Sequence, residues 1–93
     1  MRLKGKIAVI TGASAGKGMS RGFPEGFARE GADLVLNYYG HPTAEMEAFR
    51  QELEQNGVRV ILAEGDISQE ETAKELIDTA IREFGRIDIL LNN

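Results

Sequence analysis

The feature that most constrains the fold is a short apolar run, Ile7-Ala8-Val9-Ile10, followed at once by a turn with Gly12, Gly16 and Gly18. A strand, a glycine turn and a helix in succession are typical of α/β proteins that bind the pyrophosphate of a dinucleotide. The first glycine allows the sharp turn, the second a close approach to the ligand, and the third a helix start near the sheet. That helix start offers unpaired N–H groups to phosphates. An ordinary tight turn also uses glycine, so the motif alone does not decide the function.

Four apolar runs alternate with helical stretches along the chain. The runs occupy residues 7–10, 34–36, 58–63 and 87–91. They are nearly continuous and rich in branched residues, as expected of parallel strands covered on both faces. Gly31, Gly57 and Gly85 stand where a left-handed residue ends a helix. The alternation predicts right-handed crossovers and a parallel sheet in one domain that spans residues 1–93.

Local signals predict where the helices begin and which faces they bury. Ser68 and Glu71 have the spacing of a capping box, and Thr43 is a candidate cap for the preceding helix. Pro24 is expected at or near the start of the first regular helix, because an interior proline costs roughly 3 kcal/mol. Apolar stripes in the second and third helices are expected to face the sheet: Met46, Phe49 and Leu53, then Ala73, Leu76, Ile77, Ala80, Ile81 and Phe84.

Charge and composition exclude several classes of function. A net charge of −4 with 11 scattered basic residues argues against binding nucleic acid. The absence of cysteine removes disulfides and the usual zinc-thiolate and redox sites. No apolar run is long enough for a signal peptide or a membrane span. We therefore expect a cytoplasmic protein that binds neither nucleic acid nor membrane, and we predict no metal site.

Three motifs in order resemble the N-terminal portion of the short-chain dehydrogenase/reductase family. They are Thr11-Gly12-x-x-x-Gly16-x-Gly18, Asp66-Ile67, and the final Asp-Ile-Leu-Leu-Asn-Asn of residues 88–93. The resemblance implies an α/β fold of Rossmann type, with a parallel four-stranded sheet of order 3-2-1-4 and helices on both faces. It also implies an NAD or NADP cofactor, a small-molecule substrate, and hydride transfer between a carbonyl and an alcohol.

The resemblance also assigns roles to single residues. It implies that Asp66 accepts a hydrogen bond from the adenine amino group, that Ile67 covers the adenine ring, and that Asn93 contacts the ribose. The residues implied to line the phosphates are Gly12, Ala13, Ser14 and Ala15. Asp66 has a second interpretation as a plain turn residue ahead of Ser68.

Cofactor choice is expected at the end of the second strand, where a carboxylate would select NAD and repel a 2′-phosphate. Tyr38 and Tyr39 stand there instead, with neither a carboxylate nor a basic side chain beside them. Asn37-Tyr38 resembles reductases that use NADP, so NADP is preferred over NAD. Both tyrosines have a plain alternative as strand residues. Lys17 is either a further phosphate contact or a solvated side chain.

The catalytic residues of the resembled family are missing from this sequence. That family uses a tyrosine four residues before a lysine, with a serine that orients the substrate, whereas Pro42 and Thr43 follow the two tyrosines at that spacing. We therefore expect cofactor binding without turnover, and no catalytic residue is assigned. Alternatives are a non-catalytic dinucleotide-binding module and, more remotely, a P-loop nucleotidase, although Gly12 to Lys17 is one residue too short and Gly18 replaces the magnesium-binding hydroxyl.

The last apolar run raises the question of assembly. In the resembled sheet order this run of residues 87–91 forms an edge that no further strand of the chain covers. Such an apolar, β-prone edge pairs readily with other chains. A homo-oligomer is therefore expected; the alternative is a chain that is stable only beside the rest of a longer protein.

Overall fold

The computed structural model describes residues 2–13 and 19–92, with side chains placed for 2–13 and 22–92. Strands and helices alternate throughout this part of the chain. The elements are β1 (Ile7–Thr11), α1 (Met19–Arg29), β2 (Asp33–Tyr38), α2 (Thr43–Glu54), β3 (Val60–Glu64), α3 (Glu70–Phe84) and β4 (Ile89–Asn92). The strands form one parallel sheet in the order β3-β2-β1-β4, which confirms the predicted order.

The two central strands of the sheet are shielded on both faces. All five residues of β1 are buried, and so are all residues of β2 except Asp33. Side chains alternate between the faces along each strand, so Leu34 and Leu36 lie on one side and Val35 on the other. This two-sided burial explains why the sequence shows continuous apolar runs rather than an alternating pattern.

The helices divide between the two faces of the sheet, as predicted. α1 and α2 cover one face and form the larger core, in which Met46, Phe49 and Leu53 are at most 2% exposed. α3 covers the other face through Leu76 and Ala80, which pack with Val9 and Val35. The predicted stripe of α2 is confirmed.

The stripe of α3 was predicted too wide. Ile77 and Ile81 are 36% and 48% exposed, so the contact of this helix with the sheet is narrower than the sequence pattern suggested. The larger residues of the stripe that do bury or half-bury are Leu76 and Phe84. An apolar strip of α3 therefore faces outward.

The predicted start of α1 is wrong. The helix begins at Met19, and Pro24 lies inside it rather than at its first turn. Pro24 has no N–H to donate to the carbonyl of Ser20, which is the interior penalty that the sequence argument tried to avoid. Its side chain is fully buried, so apolar packing offsets part of that cost.

Both predicted side-chain caps are also wrong. α2 begins at Thr43 itself, with Pro42 as the capping residue, and the Pro42 carbonyl accepts from the N–H groups of Glu45 and Met46. α3 is preceded by Gln69 and has no side-chain cap hydrogen bond. The glycine predictions succeed: Gly31, Gly57 and Gly85 have φ values of 94°, 85° and 83°.

Candidate functional site

The carboxyl ends of all four strands meet at one edge of the parallel sheet. Thr11 pairs in register with Asn92, and Tyr38 pairs with Glu64. Gly12 and Ala13 after β1, Tyr38 and Tyr39 at the end of β2, and the Asp66 turn after β3 therefore lie along this one edge, which we call the carboxyl edge. Ligands of open α/β sheets bind outside this edge, where loops from neighbouring strands converge.

Gly12 opens the turn after β1 with φ of 66°, a left-handed value that favours glycine. Its N–H donates to Asn37 Oδ1 at 3.3 Å, and the N–H of Ala13 donates to the Asn37 carbonyl at 2.8 Å. Ala13 is buried, with 1% of its surface exposed. These two residues can line a ligand, but both of their N–H groups are already engaged within the protein.

Several residues predicted to contact the cofactor lie outside the described part of the chain. They are Ser14, Ala15, Gly16, Lys17, Gly18 and Asn93.

Asn37 of β2 connects the turn after β1 with the end of β3 and the turn that follows it, and it was not singled out from the sequence as a site residue. Besides accepting from Gly12, its side chain donates through Nδ2 to the carbonyls of Ala63 at 3.3 Å and Gly65 at 3.0 Å. It is only 1% exposed. The available signal was an amide in a strand otherwise made of apolar residues, because a buried polar side chain must find partners.

Tyr38, the last residue of β2, and Tyr39, which follows it, differ in their exposure. Tyr38 is 4% exposed and packs in the larger core with residues of α2, whereas Tyr39 is 64% exposed. The alternative interpretation of Tyr38 as a strand residue describes its side chain. Tyr39 is thus the tyrosine whose side chain is accessible at the carboxyl edge.

Asp66 forms the turn between β3 and α3. Its Oδ1 accepts from the Ser68 hydroxyl at 2.7 Å and from the Ser68 N–H at 3.0 Å. Both hydrogen bonds lower the pKa of Asp66 and so favour its ionised carboxylate, and the bond from the Ser68 hydroxyl has the larger effect. Ser68 therefore serves Asp66 instead of capping α3, and the neighbouring Ile67 is 37% exposed.

Gly65 bonds the turn that carries Asp66 to β2 and lies close to α3. The N–H of Gly65 donates to the Tyr38 carbonyl at 2.9 Å, while its own carbonyl accepts from Asn37. Its φ is 156°, and a Cβ at this position would lie 2.7 Å from Cγ2 of Thr72 in α3. Only glycine allows α3 to approach this turn so closely.

Thr11 and Asn92 complete the edge on the other side of β1. The Thr11 hydroxyl, 5% exposed, lies 3.4 Å from Asn92 Oδ1 and 3.5 Å from the Leu91 carbonyl. These contacts join the end of β4 to the start of the glycine turn.

Other surfaces of the described residues show different chemistry. A groove of about 430 Å³ lies between β3 and α3 at the outer edge of the sheet, lined by charged side chains of both signs. Within residues 2–13 and 19–92 no acidic or histidine cluster is arranged to hold a metal ion. None of the helices in those ranges is long and apolar enough to cross a membrane.

A parallel sheet of this order, with a glycine turn after β1 and an acidic turn after β3, defines an α/β domain of Rossmann type. A family model described as short chain dehydrogenase matches residues 6–93. The chain belongs to the short-chain dehydrogenase family.

Individual relatives agree with this assignment. Glucose 1-dehydrogenase 2 of Bacillus subtilis is 37% identical over 91 residues, which cover 98% of this chain and 34% of that protein. L-rhamnose 1-dehydrogenase (NAD(P)(+)) of a Sphingomonas species is 34% identical, over 98% of this chain and 35% of that protein. A solved short-chain dehydrogenase/reductase from Serratia marcescens superposes with a TM-score of 0.90 at 27% identity, covering all of this chain and 37% of that one. The chain thus spans about a third of the length of the relatives it matches.

Proposed function

We propose that this chain is the cofactor-binding portion of an NAD(P)-dependent oxidoreductase. The whole protein would transfer hydride between NADP(H) or NAD(H) and a small carbonyl or alcohol substrate. The observation that carries this proposal is the convergence of Gly12, Tyr39 and Asp66 on the carboxyl edge of a sheet with this strand order. Membership of the short-chain dehydrogenase family supports it, as do the dehydrogenase names of the relatives.

Different residues are proposed to contact different parts of the cofactor. Gly12 and Ala13 begin the segment that would line the phosphates, which continues through residues 14–18. Asp66 would accept from the adenine amino group through Oδ2, because Oδ1 is already taken by Ser68. Ile67 would cover the adenine ring with its exposed apolar surface. Asn93 would contact the ribose.

We propose that NADP is preferred over NAD. Neither Tyr38 nor Tyr39 is a carboxylate, so this pair lacks the acidic side chain that would repel a 2′-phosphate. Because Tyr38 is buried, the exposed Tyr39 is the side chain placed to meet the ribose. The Sphingomonas relative is named for both NAD and NADP.

Residues 1–93 are proposed to bind cofactor without turning over a substrate. They contain no tyrosine four residues before a lysine, which the family uses to deliver the proton. Nicotinamide would supply the hydride when bound, whereas residues 1–93 contain no such tyrosine and lysine pair to deliver the proton.

Fluorescence titration with NADPH and NADH tests this function. We expect saturable binding of both, with NADPH the tighter ligand. Tyr39→Asp should weaken NADPH relative to NADH by about tenfold, because a carboxylate about 4 Å from a doubly charged phosphate costs roughly 1–2 kcal/mol at an exposed site. Tyr39→Asn is the matched uncharged control and should leave the ratio within about twofold. No saturable binding of either cofactor would overturn the proposal.

We also propose a cytoplasmic homo-oligomer. Leu90 of β4 is 53% exposed and Ile81 of α3 is 48% exposed. β4 is an outer strand of the described sheet, and an apolar edge strand of this kind pairs readily with a strand of another chain.

A further inference from the structure

Asn37 is the residue whose burial and bonding stand out at the carboxyl edge. It is 1% exposed and lies near the carboxyl end of the central strand β2, on the face that α3 covers. A primary amide in such a place costs several kcal/mol unless its hydrogen bonds are made. Both polar atoms of its side chain have hydrogen-bond partners, and these hydrogen bonds offset the cost of burying the amide.

The partners determine the orientation of the amide. The Gly12 N–H can only donate, so it must face the oxygen, and the carbonyls of Ala63 and Gly65 can only accept, so they must face the nitrogen. Among side chains of this length only asparagine supplies one acceptor and two donors. Aspartate has no donor for the two carbonyls, and leucine has neither donor nor acceptor.

These hydrogen bonds link loops that belong to different strands. Gly12 starts the turn after β1, and Gly65 starts the turn after β3 that carries Asp66. The main chain adds to the link, because the Asn37 carbonyl accepts from Ala13 at 2.8 Å. Asn37 thereby fixes the distance between the segment for the phosphates and the segment for the adenine.

We infer that Asn37 is a positioning residue for cofactor binding, which holds the glycine turn and the Asp66 turn in the relative placement that one dinucleotide spans. This inference rests on the proposed function. Asn37 does not touch the ligand itself, since it is buried. Its contribution is preorganisation: loops already held in place lose less conformational entropy when the cofactor binds.

The test compares Asn37→Asp and Asn37→Ser with a matched control, Asn56→Asp, in the intact protein. Asn56 also donates from Nδ2 to a carbonyl, that of Leu53 at 3.0 Å, but it follows α2 at the opposite edge of the sheet. NADP⁺ affinity is measured by calorimetry, and amide hydrogen exchange is followed at Gly12 and Gly65. Circular dichroism and urea unfolding confirm that each variant is folded under the conditions of the titration.

We expect Asn37→Asp to weaken NADP⁺ binding by at least about tenfold at pH 8, because its carboxylate would face two carbonyl oxygens. Protonation gives that carboxyl a donor, so the loss should shrink as the pH is lowered to 6. Asn37→Ser should fall between this variant and the wild type, and Asn56→Asp should stay within about twofold. Exchange should accelerate at Gly12 and Gly65 in the Asn37 variants and not uniformly across the sheet.

The pH profile is read as a ratio of each Asn37 variant to the wild type. Titratable groups near Asn37 are present in both proteins and cancel in this ratio, as does the cofactor's own 2′-phosphate. The groups that line the groove beside Asn37 are Arg59, Glu64, Glu75, Arg82 and Glu83.

The outcomes separate this inference from the proposed function. Wild type that binds NADP⁺, with folded Asn37 variants that bind equally well, would overturn the positioning role and leave the proposed function standing. Wild type that binds no dinucleotide would overturn both. Faster exchange that is uniform over the sheet would reduce Asn37 to a general stabilising residue and contradict the inference.

Discussion

Replacing Gly65 with alanine is expected to destabilise the fold through two separable effects. A Cβ there would lie 2.7 Å from Thr72 Cγ2 and 3.2 Å from Thr72 Oγ1, so α3 or the turn must shift. Overpacking of this kind costs roughly 1–3 kcal/mol. The φ of 156° adds strain of about 1–3 kcal/mol for any residue with a Cβ. The expected total is roughly 2–6 kcal/mol, a large share of the stability of a domain this size.

Thr72→Ala separates the steric part from the strain. It removes Cγ2 and Oγ1, and the remaining Thr72 Cβ lies 3.5 Å from the new atom, an ordinary van der Waals contact. Gly65→Ala should therefore cost about 1–3 kcal/mol less in the Thr72→Ala background than in the wild type. Gly57→Ala is the matched control, because Gly57 has φ of 85° and nothing within 4 Å of its would-be Cβ.

Urea unfolding of the four proteins of this cycle, with Gly57→Ala alongside, measures these differences. Gly57→Ala should show only the strain cost, and it should be unaffected by Thr72→Ala. A coupling between positions 65 and 72 below about 0.5 kcal/mol would refute the steric argument, since independent sites add within that margin.

Two further predictions concern acid stability and assembly. Asp88 Oδ2 accepts from the Ile7 N–H at 2.9 Å and from Arg86, and the Ile7 bond is the main reason that the pKa of Asp88 is lowered. A lowered folded pKa gives stability that is present above the unfolded pKa and lost as the pH falls through the folded value. Asp88→Asn should therefore flatten the stability profile below about pH 4, and an unchanged profile in acid unfolding would contradict this. Leu90→Glu should shift the protein to a smaller species by light scattering, because Leu90 is 53% exposed on β4, and an unchanged size would contradict assembly through this surface.

The strands of the sheet were predictable because their amino-acid composition is distinctive. Residues buried on both faces have to be apolar throughout, and parallel connections need a helix of adequate length, so runs and glycines suffice to place β1 and β2. The order of the strands came from the family resemblance, since periodicity alone does not rank neighbours. Strand limits shifted by about two residues at the starts of β3 and β4.

The two wrong helix caps share one physical cause, which is competition among short-range hydrogen bonds, whereas the wrong start of α1 comes from tertiary packing. Ser68 has the spacing of a cap, yet its hydroxyl donates to Asp66, two residues away. Thr43 became the first helical residue because the Pro42 carbonyl already serves the first turn. Pro24 lies in the interior of α1, where burial of its ring offsets part of the cost of the lost hydrogen bond; this is a tertiary effect that local propensity does not contain.

The role of Asn37 could not be read from the sequence for a related reason. Its three side-chain partners are main-chain groups of Gly12, Ala63 and Gly65, and main-chain groups leave no mark in a sequence. The amide itself was visible, but the partners became known only when the strand order and register were fixed.

The two interpretations of Asp66 that the sequence presented as alternatives, a turn residue and an adenine contact, are compatible. As a turn residue it uses Oδ1, which takes both hydrogen bonds from Ser68. Those bonds restrict the rotation of the carboxylate and keep it charged, while Oδ2 has no partner among the residues that the structure describes. A charged acceptor that is already oriented binds a donor more strongly than a mobile neutral one. The turn would therefore hold Asp66 ready to accept from an adenine amino group. Because the Ser68 hydroxyl donates to Asp66, Ser68→Ala should weaken dinucleotide binding in a titration, and unchanged affinity would contradict this role.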